Sequence, residues 1–393
     1  MSRPWTHWAT SHDLKGLRLT VHDAGTGLTG RSLGVAQFGG AFVLDPFDAY
    51  RAGLVSNPNV IVSGAIGAGK STIVKMMIDR ALTRGRRVVV VDPKGEYQDM
   101  ARLHGARSIN LGVDGWCDPF SDDERENHDL LRALIASAQG RPLSGGEHYA
   151  LDETLARFDG ARPVRVLRTL AQMLEPHLGA SETSAFVSLA QTLYRFTSGD
   201  LAGLFDGDGP PMLLQGRLVV LDVSSQWASD SFGVALLSAL AAAQRVARAD
   251  GELGYLVLDE AWAMLADDHA VRWLRGSWKL ARSRGLSHVL VLHRFTDAVA
   301  SGDAGTARLE RVRGLLRECE TGWFFRQPPD ESREMAVALG LSELEERYLR
   351  EIPKGVALVR YGRHRSIVRI QPDERDVGFI DTDGAMRTND VSE

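Results

Sequence analysis

The stretch PNVIVSGAIGAGKST, residues 58–72, joins an unbroken apolar run at Val60, Ile61 and Val62 to a glycine-rich turn and then to Lys70 and Ser71. Apolar residues without alternation mark a parallel strand buried on both faces. The turn matches G-x-x-x-x-G-K-[ST] from Gly64 to Ser71, and it stands between a strand and a helix, the context in which that pattern cradles phosphate. Its glycines let backbone N–H groups wrap phosphate oxygens, and the helix behind them adds its positive end. The expected nucleotide-binding set is Gly64, Ala65, Ile66, Gly67, Ala68, Gly69, Lys70, Ser71 and Thr72. Lys70 is assigned to the β- and γ-phosphates of ATP, and the Ser71 hydroxyl to Mg2+.

Working outward, Ile73, Met76, Met77 and Ala81 share one face at helical spacing, Gly85 supplies a stop, and RVVVVD at 87–92 repeats the buried-strand pattern. Strand, loop, helix and strand make a βαβ unit. From about 126 to 206 only helical patterns occur, in LLRALIASA, VRVLRTLAQML and SAFVSLAQTLYRF. Strand patterns resume at RLVVLDVSS (217–225), YLVLDE (255–260), HVLVLH (288–293) and TGWFFRQ (321–327). The reading is an α/β, doubly wound, RecA-like P-loop NTPase core with a mainly parallel sheet and an inserted all-α subdomain. Residues 1–57 lead into the core, 58–125 form its first part, 126–206 the insertion, and 207–393 its second part. In that last part GVALVRYGRHRSIVRI reads as a hairpin turning at Gly362 to His364, and the acidic tail after Asp373 reads as loosely ordered.

YLVLDE supplies the second half of the chemistry. Asp259 at the strand end would hold the Mg2+ through water, and Glu260 would orient and deprotonate an attacking water. Two acids ending a strand also serve as a mere solvated exit; the phosphate loop elsewhere in the chain favours catalysis. No NKxD motif for guanine occurs, so ATP is the expected nucleotide. LSGGE, Leu143 to Glu147, imitates the signature of ABC transporters, but it lies more than a hundred residues before Asp259 and Ala261 stands where that family has proline. It reads as a helix-linking turn.

Composition narrows the class. With 44% apolar and 25% charged residues, no apolar stretch of membrane-spanning length and a start, MSRPWTHWATSHD, that lacks a signal-peptide core, the chain reads as soluble and cytoplasmic. Its two cysteines, Cys117 and Cys319, have no metal-ligand spacing and read as buried thiols. A net charge of −5 gives no global attraction for nucleic acid, though a basic ring in an oligomer's pore stays open.

FVLDPF, GAIGAGKS, VVVVDPKGEY, LDVSS, LDEAWAML and ARSRGLSHVLVLHRFTDA occur in one order across nearly the whole chain. In this the chain resembles the HerA/FtsK superfamily of hexameric motors and, within it, the VirB-class ATPases of conjugation and type IV secretion; the runs WAMLADDHAVRW and HRFTDAVASGDAG look most like actinobacterial members. The helical insertion matches that family too. The resemblance implies that Asp92 and Glu96 of DPKGEY sit beside the phosphates, with Glu96 polarising water or ordering Lys70. It implies a γ-phosphate sensor at the end of the strand 288–293, where the family has glutamine and this chain has His293; because histidine titrates near neutrality, sensing there would depend on pH. It implies an arginine finger at Arg282, with Arg284 in reserve, acting in a neighbouring subunit and worth roughly 10³ to 10⁵ in rate. A solvated helix face accounts for the same arginines.

The family's large N-terminal channel-docking domain finds no counterpart in residues 1–57, which reads as a stand-alone motor domain. Implied partners are five further copies of the chain in a homo-hexamer, type IV secretion and conjugation channel components, DNA, and peripheral contact with a membrane complex at the inner face of the cell membrane. The leading expectation is a Mg-ATP-driven hexameric motor of conjugative transfer. The alternatives are a HerA-like DNA translocase in DNA processing or defence, and an ATP-gated assembly scaffold with little turnover.

Overall fold

Valines at even and odd positions of the central strands serve two different cores. The computed structural model of the chain describes residues 25–380 except 117, 121–122, 158–165, 178–183, 206–214, 228, 230, 248–251, 262–270, 272–273, 275, 277, 279–284, 294–312 and 315. Among these residues the strands are β1 (Gly34–Ala36), β2 (Ala41–Phe42), β3 (Val60–Ser63), β4 (Arg87–Asp92), β5 (Ser108–Asn110), β6 (Leu218–Asp222), β7 (Gly254–Leu258), β8 (Leu286–Leu292), β9 (Thr321–Phe324), β10 (Val356–Tyr361) and β11 (His364–Ile370). They form one sheet in the order β2-β1-β11-β10-β9-β3-β8-β7-β4-β6-β5. From β9 to β5 every pairing is parallel. From β9 outward to β2 every pairing is antiparallel.

Side chains alternate across a strand, so a strand buried on both faces needs apolar residues at every position. Val60, Val62, Val88, Val90, Val257 and Val289 pack with Ile73 and Met76 of the helix Lys70–Thr83 on one side. Ile61, Val89, Val91, Leu221, Leu256 and Leu290 face the other side, where they join Leu130, Leu134, Leu151, Leu189 and Phe196. These last belong to the helices Glu124–Gln139, Gly145–Leu155 and Ala185–Ser198. The all-helical block, which also holds Val166–Leu174, therefore shares a core with the sheet through the helix Phe232–Ala247.

Leu143 to Glu147 is a helix-opening turn. Ser144 caps the helix Gly145–Leu155 and Glu147 closes a capping box with it. FVLDPF has a structural use as well: Asp45 caps the helix Pro46–Arg51, accepts the Tyr255 hydroxyl at 2.8 Å and pairs with Arg86 at 2.8 Å.

Two expectations change, and one strand carries no sequence signal. The short edge strand β5 carries a single fully apolar residue, Ile109, too little for a sequence pattern, and is held by pairing with β6. The strand 321–327 ends at Phe324, and Gln327 instead folds over Ser63, its amide donating to the hydroxyl at 3.0 Å. The tail beyond Asp373 is docked as far as Ile380: Asp376 is fully buried against Arg80, Arg31 pairs with Asp373 at 2.7 Å, and Phe379 is buried. Charge complementarity to two arginines, invisible in the local sequence, orders this segment. Cys319 is buried, and burial pushes its thiol well up; Cys117 lies outside the described residues.

Candidate functional site

The loop Gly64–Gly69 leaves the C-terminal end of β3 and enters the helix Lys70–Thr83 directly. Gly69 caps that helix at φ 119°, a conformation that side chains rarely adopt. At Gly64 a Cβ would stand 2.6 Å from the Cβ of Phe325, so the loop lies flat on β9's continuation only because the residue is glycine. Ile66 projects from the loop tip, 82% exposed. Thr72, half-buried, follows Ser71 in the first helical turn.

Lys70 is buried, and its Nζ donates to the carbonyls of Gly64 and Ala65 at 2.7 and 2.9 Å. Burial pulls its ammonium down to about 8, against the opposing pull of Asp259 and Glu260. The Ser71 hydroxyl donates to Glu96 Oε2 at 3.4 Å.

Asp259 and Glu260 follow β7, and β8 separates β7 from β3. All three strands are parallel, so the acids and the phosphate loop gather at one edge, the carboxyl ends where open α/β sheets bind ligands. Asp259 is buried, its Oδ2 accepts the Tyr97 hydroxyl at 3.0 Å, and burial raises its pKa. Glu260, at φ 49°, is alone among the described non-glycine residues in the left-handed region, a strain of about 1–2 kcal/mol. Its Oε1 meets His293 Nε2 at 2.6 Å and the Lys94 ammonium. Burial works to raise the Glu260 pKa, but the hydrogen bonds and charges of His293 and Lys94 hold it at about 2.

DPKGEY forms the other wall. Asp92, fully buried, spends Oδ1 on the N–H groups of Lys94, Gly95 and Glu96 at 3.2, 2.9 and 3.2 Å and Oδ2 on that of Tyr97 at 3.0 Å. Burial lifts it to about 6 even so. Asp92 thus ties the loop, while Glu96 reaches Ser71 rather than Lys70. The sequence reading missed Lys94 on Glu260 and Tyr97 on Asp259; both lie in the motif singled out, but their partners lie more than 160 residues away. The site unites Lys70, Ser71, Glu96, Asp259, Glu260 and His293. Arg282 and Arg284 lie outside the described residues.

The donor set fits one hard cation. A hydroxyl at Ser71 and a carboxylate at Asp259 suit Mg2+, which takes few protein oxygens and keeps its waters. Asp259, Glu260 and His293 each offer an atom within 4.8 Å of the others, but the ammonium of Lys94 on Glu260 opposes a second cation there.

Residues 58–131 match the family model of the helicase HerA central domain. The structure of VirB4 of Thermoanaerobacter pseudethanolicus superposes with TM-score 0.78 at 22% identity, covering 90% of this chain and 100% of that one. Residues 58–131 are thus similar to the HerA central domain, and the fold is similar to that of VirB4. That HerA-type segment contains β3, the phosphate loop, β4 and the DPKGEY wall, whereas Asp259, Glu260 and His293 lie beyond it. The VirB4-like fold extends to plasmid coupling protein TrwB, solved with the GTP analogue GDPNP (TM-score 0.55, 18% identity, 92% of each chain) and with ADP and Mg2+ (0.51, 18%, 93% of each). A comparison with curated protein sequences gives no match. No helix among the described residues is long and apolar enough to cross a membrane.

Proposed function

We propose that this chain is a Mg-ATP-hydrolysing motor of conjugative transfer or type IV secretion, working as a homo-hexamer. The observation that carries the reading is the convergence of a phosphate loop, with its buried Lys70, on two adjacent acids across one intervening strand, in a VirB4-like fold. In this reading residues 64–72 bind the triphosphate, Lys70 neutralises its β- and γ-oxygens, and Ser71 and Asp259 hold Mg2+. Held there, Mg2+ would supply charge neutralisation to the phosphate oxygens. Glu260 orients water and accepts its proton, Glu96 orders the Ser71 hydroxyl, and His293 senses the γ-phosphate. Arg282 completes a neighbouring subunit's site. The chain works in the cytoplasm, at the inner face of the membrane where channel components dock.

The test measures ATP turnover and particle size together, with and without single- and double-stranded DNA. Lys70→Ala is expected to abolish nucleotide binding, and Glu260→Gln to keep binding while lowering turnover by about 10² or more. Wild-type protein that neither binds nor cleaves ATP with Mg2+, as monomer or assembly, ends the proposal. Because the matched family model is that of a helicase, a DNA-processing translocase is the second reading; strand displacement coupled to turnover would favour it. Turnover near zero with ATP-driven assembly would favour the scaffold.

A further inference from the structure

The loop after β4 touches each acid or hydroxyl of the site once: Glu96 at Ser71, Tyr97 at Asp259, Lys94 at Glu260. Its own shape is fixed by four backbone N–H groups on the Asp92 carboxylate. The loop is therefore a rigid arm on β4, and β4 is hydrogen-bonded along its length to β7, the strand that delivers Asp259 and Glu260. Glu260 needs such support. Its backbone sits in the left-handed region, which a side chain bearing a Cβ leaves unless its surroundings hold it. Two cationic or hydrogen-bonding groups hold one oxygen: His293, from the end of β8 on one side, and Lys94, from the β4 loop on the other. The neighbouring strands thus grip the carboxylate from both flanks.

We propose that Lys94 is a positioning residue for Glu260, its ammonium anchoring Oε1 so that the carboxylate keeps its orientation toward the attacking water. The inference rests on the ATPase reading above. A group displaced by about 1 Å can cost on the order of 10² in rate, so loss of the anchor acts on kcat and leaves nucleotide affinity alone. Lys94 is 38% exposed at its side chain, so its removal opens no core.

The experiment uses the full chain and measures kcat, KM and directly titrated ATP affinity for wild type, Lys94→Ala, Lys94→Gln and Lys94→Arg, with thermal melts of each. Expected are melts like wild type, ATP affinity within about twofold, and kcat lowered about tenfold to a hundredfold in Lys94→Ala and Lys94→Gln. Lys94→Arg, which keeps a cation within reach, recovers most of the loss. In a Glu260→Gln background, Lys94→Ala lowers kcat less than about twofold further, since residues acting as a unit are non-additive. Unchanged or raised kcat, a matching loss of ATP affinity, or a full additional loss beside Glu260→Gln overturns the inference. Wild type that binds no ATP removes the ATPase reading and this one together; active wild type with an unaffected Lys94→Ala variant removes this one alone.

Discussion

Tyr97 shows how much a single hydroxyl can govern. Its ring is fully buried, the Lys75 ammonium lies 5.5 Å over its face, and its O–H reaches Asp259 Oδ2 at 3.0 Å. Groups that orient a metal ligand from behind are worth about 10- to 100-fold in metal affinity. With Asp259 holding Mg2+ as proposed, Tyr97→Phe, which keeps the ring and removes the donor, should raise the Mg2+ concentration for half-maximal turnover by about tenfold while leaving the nucleotide binding proposed for Lys70 intact. A Mg2+ titration coinciding with wild type would contradict this. The contrast with Lys70 explains what was legible. A phosphate loop is read from eight consecutive residues because its chemistry is local, and Asp259 and Glu260 are read from the strand they end. The Tyr97–Asp259 and Lys94–Glu260 contacts depend on β4 lying beside β7, and strand order is not written in either segment.

Among the elements, one carboxylate ties three helices of the helical block together beside their shared apolar core. Glu147 accepts from Arg141 at 2.7 and 2.8 Å, Ser188 at 2.6 Å, Gln139 at 3.1 Å and the Ser144 N–H at 2.8 Å, joining three helices and a linker. The Arg141 guanidinium first, and the hydroxyl and N–H donors after it, hold this carboxyl well below the usual range. A depressed folded-state pKa gives stability that is complete above the unfolded value, about 4.3, and drains away as pH falls below it. Glu147→Gln should thus lower the melting free energy at pH 7 by about 1–3 kcal/mol, and the gap to wild type should shrink steadily below about pH 4. A gap that stays constant to pH 3 would assign the loss to packing. Apolar periodicity revealed these helices, yet their mutual attachment through Glu147 stayed hidden inside LSGGE, whose likeness to a nucleotide-binding signature masks a cap.

Across the whole molecule, the chain's two ends of the described span meet. Arg31 bridges Asp79 and Asp373, and Arg80, largely buried, pairs with the fully buried Asp376. Removing one member of a buried pair strands the other, at about 3–5 kcal/mol. Asp376→Ala should accordingly lower thermal stability by several degrees and expose residues 374–380 to protease; a variant that melts with wild type and resists cleavage would place the tail's attachment elsewhere. This coupling joins residues 296 apart in the chain, which is why the tail's composition alone read as loose.

Among the described residues the sheet's two borders are β2, two residues long, and β5, three residues long. A border that short offers a neighbouring polypeptide at most a rung or two of backbone pairing, the usual safeguard against strand-to-strand stickiness. Strand-to-strand addition is thereby discouraged at both margins, which leaves side chains on the described helices and loops as the surface on which another polypeptide can settle.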